Sequence, residues 1–327
     1  MLYPFKLDLA RSRVLQIEMD EAAFRAASFL DERILTPATK GGWAPLQAFL
    51  ESAELSSPGP PLHFIFHTGH VGSTLLSRLL DETGRVLPLR EPLPLRTLAE
   101  MQDALHQAPA PGARELHEGL LAALLRQWRR GFATTEAVIV KATSSAARVA
   151  PALLDAAPGA RAVYLNLRAE PWLATLLAGE NSPIDLRGHA PERLRRLAAQ
   201  RGSPLPVPES PSPGELAALG WLAETTTQQD LLARYPGRVL AVDFEAFLAD
   251  VPRHLRGILE HFGLPVEPAF LSQVLHNPVL TRYSKAPEHP YDPALRAAVL
   301  QDSRQRNREE IQKGLRLLDR LRAAPAP

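Results

Sequence analysis

The sequence predicts an α/β fold, a three-layer sandwich around a central parallel sheet of about five strands. Two observations carry that prediction. Short, almost continuously apolar runs recur at Leu62–Phe66, Val86–Leu89, Ala137–Val140, Ala162–Leu167 and Val239–Val242, as strands read when both faces of their sheet are covered. Stretches of helical periodicity separate these runs, and strand–helix alternation calls for parallel pairing with helices on both faces. Ligands of such sheets bind beyond the carboxyl ends of the strands. The residues just after Phe66, Leu89, Val140, Leu167 and Val242 are therefore expected to share one rim.

Each element follows from local signals. Residues 13–54 hold a short apolar stretch, Val14–Ile17, and two helix-like segments, Glu21–Leu30 and Pro45–Ala53. Ser56-Ser57-Pro58-Gly59-Pro60-Pro61 breaks the chain, so residues 1–60 read as an elaboration packed on the main domain. Strand Leu62–Phe66 leads through the loop His67–Ser73 into helix Thr74–Thr83. Residues 95–131 are helical with a break at Pro109–Gly112. Strand Ala137–Val140 ends at Lys141, and helix Ala146–Ala156 follows. Pro158-Gly159 turns the chain into strand Ala162–Leu167, then helix Pro171–Gly179. Residues 183–214, rich in Pro and Arg with one short basic helix, read as an inserted lid or surface loop. Helix Glu215–Tyr235, strand Val239–Val242 and helix Pro252–Phe262 complete a domain over 61–290. The tail 291–327 carries one charged amphipathic helix, 291–322.

Composition removes several kinds of chemistry. The chain of 327 residues has no Cys, which excludes disulfides, thiolate catalysis and Cys-ligated zinc. Its ten His are scattered without metal-ligand spacing, so no metal is expected. A net charge of +1 gives no global field for nucleic acid. No apolar run is long enough to cross a bilayer, and Met1–Leu15 has no apolar signal core; the expectation is a cytoplasmic protein with no membrane partner.

The chemistry concentrates in the loop His67-Thr68-Gly69-His70-Val71-Gly72-Ser73-Thr74, which joins a buried strand to a helix. Glycines let backbone approach a ligand, and unpaired N–H groups at the positive end of a helix favour phosphate. The hydroxyls of Thr68, Ser73 and Thr74 add donors. A Walker lysine is missing, because Gly72 stands in its place; that lysine normally reaches the β- and γ-phosphates. The bland alternative is a Gly-rich turn capped by Thr74.

Ending in Gly72-Ser73-Thr74-Leu75-Leu76, this loop resembles the G-x-x-R-S-G-T-T-L-L loop of the sulfotransferases. The family's basic residue falls on His70 and its first Gly on His67. Four further segments resemble the family in the same order: Leu89-Arg90-Glu91-Pro92, Val140-Lys141-Ala142-Thr143, Pro158–Pro171 with Arg168 near its end, and Val239–Pro252 continuing to His261-Phe262-Gly263-Leu264-Pro265. An extra residue separates Arg168 from Pro171, and Leu176 stands where the family has a Ser. Thr175 is the nearest hydroxyl, with Asn181 and Ser182 close behind.

The resemblance implies sulfuryl transfer from 3′-phosphoadenosine-5′-phosphosulfate (PAPS), without a metal, to a hydroxyl or amine of a small molecule or glycan. It casts Glu91 as general base, and His70 and Lys141 as donors to the departing oxygen. Thr68, Gly69, His70, Val71, Gly72, Ser73, Thr74, Arg168 and Thr175 would hold the donor. Structural readings stand beside these roles. Glu91 can pair with Arg90 on the surface, Arg168 with Glu170, and His67 with the loop backbone. Asp243 and Glu245 read as structural. Arg187, Arg193, Arg195 and Arg196 read as a solvated face. Tyr283-Ser284-Lys285 reads as a surface loop or a cover over the nucleotide. The competing functions are a magnesium-dependent P-loop kinase, which the missing lysine disfavours, and a non-catalytic nucleotide-binding relative, which His70 keeps open.

Overall fold

The structure, a computed structural model, describes residues 1–54, 59–107, 109–179, 182–286, 288–291 and 293–323. The expected break at Ser56–Pro58 and Asn181 lie outside the described residues. Two sheets are present among them. The first is built by β1 (Leu2–Asp8), β2 (Arg13–Glu18) and, after α1 (Glu21–Ala26), β3 (Gly41–Pro45), with α2 (Leu46–Glu54) closing the segment. All of its pairings are antiparallel. The second begins with β4 (Leu62–His67), α3 (Ser73–Asp81), β5 (Val86–Arg90), α4 (Leu93–Leu105), α5 (Ala113–Trp128), β6 (Ala137–Lys141), α6 (Ala150–Ala156), β7 (Ala162–Asn166) and α7 (Ala169–Leu177). It continues through α8 (Ser182–Arg201), α9 (Pro213–Arg234), β8 (Val239–Asp243), α10 (Phe244–Ala249), α11 (Val251–Phe262) and α12 (Pro268–Gln273). Helices α13 (Pro293–Arg306) and α14 (Arg308–Ala323) finish the chain.

The five strands of the second sheet lie in the order β5-β6-β4-β7-β8, and every pair is parallel. From β4 the chain runs first toward β5, and after β6 it crosses to β7 on the other side. The carboxyl end of β4 is thus the switch point, where a parallel sheet opens a crevice.

The alternation of side chains divides the core into two layers. Phe64, Phe66, Leu87, Leu89, Val138, Val140 and Tyr164 face one cluster, shared with α4, α5 and the small antiparallel sheet. Ile65, Val86, Ile139, Val163 and Leu165 face the other, shared with α3, α7 and α11. Period-two alternation with both faces apolar is why the strands look like unbroken hydrophobic runs.

Three expectations need correction. The segment 1–45 is chiefly an antiparallel sheet, and the helix expected over Glu21–Leu30 stops at Ala26, where the chain extends and Leu30 N–H donates to Arg90 O at 2.7 Å. The segment 183–214 is no loose lid: α8 packs along α9, and Leu197 joins Leu219 and Leu318 in a small apolar cluster. There Arg196 pairs with the buried Glu224 at 2.9 Å, and Arg193 approaches the same carboxylate; neither belongs to a solvated face. The tail is two helices, broken at Asn307, whose side-chain amide donates to Leu177 O at 3.1 Å and Ser303 Oγ at 3.0 Å.

Candidate functional site

The loop after β4 sits at the switch point with its backbone wound for anion binding. Gly69, His70 and Gly72 have φ of 96°, 56° and 68°. Residues alternating through the left-handed region turn successive N–H groups toward one side, making an anion-binding concavity. The N–H groups of Thr68 and Gly69 are taken, by Leu165 O at 3.1 Å and His67 Nδ1 at 3.0 Å. Those of His70, Val71, Gly72, Ser73 and Thr74 find no acceptor among the described residues. The expected run of amides from Thr68 is therefore shortened by two, because the first two anchor the loop to β7 and to His67.

Two side chains add to this run. Thr68 and Thr74 are 1% and 2% exposed, and neither hydroxyl has a hydrogen-bond partner among the described residues. A buried hydroxyl without a partner costs about 1–3 kcal/mol, so two of them beside free amides mark a place shaped for an oxygen-rich ligand. Gly72 is needed for a second reason besides its φ. A Cβ there would lie 2.0 Å from the Phe244 ring. Gly72→Ala is expected to cost about 2–4 kcal/mol from the clash and the left-handed φ, read as a lower urea midpoint at unchanged slope.

His67 fixes the loop. A carbonyl only accepts, so Nε2–H donates to Ala142 O at 2.9 Å; an amide only donates, so Nδ1 accepts from Gly69. The ring is thus neutral in a single tautomer. Burial, with help from the charge of Lys141, pushes its pKa down to about 3. Below the unfolded value of about 6.5 the unfolded chain binds a proton that the folded protein refuses, so stability falls as pH drops from that value. By pH 5 the loss from His67 is about 2 kcal/mol. Urea titrations at pH 7 and pH 5 should show a loss smaller by about that amount in His67→Gln than in the wild type, the remainder coming from other buried imidazoles such as His63.

Glu91 and Lys141 meet at the carboxyl ends of β5 and β6. Arg90 and Lys141 are register partners, and Glu91 N–H donates to Lys141 O at 2.7 Å. Glu91 then takes a φ of 55°, which swings its carboxylate back so that Oε1 accepts from Lys141 Nζ. Both side chains are buried, and Arg96 lies 3.6 Å from Oε2. Burial raises the Glu91 pKa, but the neighbouring ammonium outweighs it and the net shift is downward. Burial also lowers that of Lys141, against the pull of Glu91. The carboxylate is ionised at neutral pH. Its supposed partner Arg90 points elsewhere, to Ser77, Asp81 and the carbonyls of Arg25 and Ala27.

Val71 is fully buried beneath the loop and Ser73 opens α3. His70 is exposed at the loop's mouth, and the protein packed around it, together with the charge of Lys285, lowers its pKa. It offers a neutral imidazole. Arg168 stands apart, exposed and paired with Glu245 at 3.2 Å, while Glu170 takes Arg304 instead. Thr175 donates to Pro171 O at 2.7 Å within its own helix. Asp243 caps α10 by accepting from Ala246 N–H.

Sequence reasoning missed several contributors. Trp172 donates its indole N–H to Gly69 O at 2.8 Å, Phe244 packs on Gly72, and Phe29 stands 5.6 Å from Lys141 Nζ. Lys285 is not one of those missed: the sequence reads its segment as a surface loop or a cover over the nucleotide, and it lies within electrostatic reach of His67, His70, Glu91 and Lys141. Its segment is held by Arg78, which donates to Ser284 O and Ser28 Oγ, both at 2.7 Å. Two lysines around one carboxylate leave the site with local positive charge. Among the described residues no three His, Asp or Glu gather as metal ligands, and no helix is long and apolar enough to cross a membrane.

No protein-family model matches the chain, and neither does any curated protein. Solved structures do. The sulfotransferase STF1 from Mycobacterium tuberculosis is 18% identical, with 80% of each chain covered and a TM-score of 0.41. A sulfotransferase from Alicyclobacillus acidocaldarius is 15% identical over 80% of this chain and 95% of its own, at 0.37. Retinol dehydratase in a complex with retinol and PAP is 13% identical over 96% and 98%, at 0.35. At such identities and TM-scores the likeness carries nothing about the chemistry, which rests on this chain's own residues.

Proposed function

We propose that the chain is a P-loop sulfotransferase of the cytoplasm that moves a sulfuryl group from PAPS to a hydroxyl or amine of a small molecule or glycan. The observation that carries the reading is the loop: free amides from His70 to Thr74, with two buried hydroxyls lacking partners, at the carboxyl end of the central strand. The ordered sequence motifs support it. With Gly72 in the Walker position, cationic charge comes from Lys141 and Lys285 instead.

When bound, PAPS supplies the sulfuryl group and a phosphate that leaves with added negative charge. The amides of His70–Thr74 and the hydroxyls of Thr68 and Thr74 would hold the oxygens of its 5′-phosphate. Lys141 and the His70 N–H would favour the charge that grows on the departing oxygen. Glu91 receives the acceptor's proton on Oε2, since Oε1 is committed to Lys141. Arg168 and Thr175 would serve the 3′-phosphate only if Arg168 releases Glu245.

Calorimetry with 3′,5′-adenosine diphosphate in the absence of magnesium tests the reading. Micromolar binding is expected, with no response to ATP. No heat from the bisphosphate at high protein concentration sinks it, and magnesium-dependent ATP consumption turns it into the kinase reading.

A further inference from the structure

Arg96 stands in the first turn of α4, beside the one oxygen of Glu91 that Lys141 leaves free. Its guanidinium lies 3.6 Å from Glu91 Oε2, beyond hydrogen-bond reach. Among the described residues its side chain makes no hydrogen bond, and its Nε is buried without an acceptor. A guanidinium carries its donors in a fixed fork, and withdrawing one from water with no acceptor costs free energy. The side chain is 43% exposed, so the rest of the fork is open to a molecule arriving from outside. The neighbouring arginines are used otherwise: Arg33 donates to Asp31, and Arg90 to Ser77 and Asp81.

The place of Arg96 separates it from the nucleotide. Its charge is felt at Asp31, whereas the charges felt at His70, in the phosphate loop, are those of Lys285, Asp185 and Glu91. Arg96 therefore stands on the side of Glu91 turned away from the loop, and whatever gives a proton to Oε2 comes to rest beside it. The local charges do not balance. Lys141, Arg33, Arg96 and Lys285 surround two carboxylates, Glu91 and Asp31. Glu91 is held by Lys141 and Asp31 by Arg33, and Lys285 acts on the loop. Arg96 is left without an anion of its own.

We propose that Arg96 sets the class of the acceptor: the molecule to be sulfated carries a carboxylate beside its hydroxyl or amine. The inference rests on the sulfotransferase reading. The carboxylate takes the fork by two parallel hydrogen bonds, a geometry that suits arginine better than lysine. In doing so it draws the guanidinium off Oε2, so the oxygen that receives the proton is uncovered by the molecule that supplies it. An uncharged alcohol leaves Arg96 against the base.

The test is ligand-observed proton NMR on protein saturated with 3′,5′-adenosine diphosphate. Two acids are compared with neutral counterparts: 4-hydroxyphenylacetate with 4-hydroxyphenylacetamide, standing for a small aromatic acceptor, and glucuronate with glucose, standing for a glycan. Wild-type protein is expected to bind one of the acids about 10–100-fold more tightly than its counterpart, the usual share of a charged hydrogen bond. Arg96→Gln should remove that preference and Arg96→Lys should keep part of it, with bisphosphate binding and the urea midpoint unchanged in both. An arginine that served only the fold would move the midpoint and leave the preference alone. The proposal is overturned if neither acid is bound better than its counterpart, or if Arg96→Gln keeps the preference. Failure of wild-type protein to bind the bisphosphate strikes at the nucleotide reading instead, so the two failures are told apart.

Discussion

Glu91→Gln is expected to lower sulfuryl transfer by about 10²–10⁴-fold, the usual contribution of a general base, while 3′,5′-adenosine diphosphate binds as before. The measurement is release of that bisphosphate from PAPS in the presence of 4-hydroxyphenylacetate or glucuronate. The variant carries a structural cost that must be separated from the chemical one. Lys141 is fully buried, and removing its carboxylate leaves an uncompensated charge, at about 3–5 kcal/mol. Lys141→Met leaves Glu91 in the same position and should cost a similar amount. The double variant Lys141→Met/Glu91→Gln removes both charges and should recover much of the stability, because an apolar or neutral replacement of a buried pair is often close to neutral. Turnover should stay at or below the level of Glu91→Gln, because the double variant also lacks the Lys141 cation. Recovery of turnover along with stability would make the pair a structural strut, and a fall of less than tenfold in the single variant would remove Glu91 from the chemistry.

Why the pair escaped the sequence is a matter of direction. Arg90 is the nearest cation along the chain, yet it ends β5 pointing under the sheet toward Asp81, while Glu91, just past the strand with a φ of 55°, turns to a lysine fifty positions away. The strands themselves were legible because both their faces are covered, and so was the loop, because its glycines and hydroxyls act through local backbone. The small sheet was not. Its β3 reads Gly-Gly-Trp-Ala-Pro and is largely exposed, with neither apolar alternation nor β-branched residues; only the ladder from β2 makes it a strand. Arg193 and Arg196 looked solvated because their counter-charge, Glu224, is on another helix. His67 was the opposite case: its hydrogen bonds to the loop and to Ala142 follow from its place at the strand end.

Replacing Thr68 and Thr74 together by Val should have opposite effects on the free and the liganded protein. In the free protein neither hydroxyl has a partner among the described residues. Deleting a buried, unsatisfied hydroxyl removes its desolvation cost, so the double variant should be as stable as the wild type or more so by about 1 kcal/mol or more. Threonines that served only the fold would give the reverse, a loss of about 0.5–1.5 kcal/mol for each hydrogen bond removed. Toward the ligand the hydroxyls meet charged oxygens, where each bond contributes about 1.5–3 kcal/mol. Two such bonds correspond to about 10²–10⁴-fold in the affinity for 3′,5′-adenosine diphosphate. Chemical denaturation and calorimetry on the same preparation give both numbers. A variant that is destabilised and still binds would reduce the loop to a turn that happens to be rich in glycine. A stabilised variant that no longer binds would mean that the two threonines hold their hydroxyls unpaired in the free protein because the partner is the bound nucleotide.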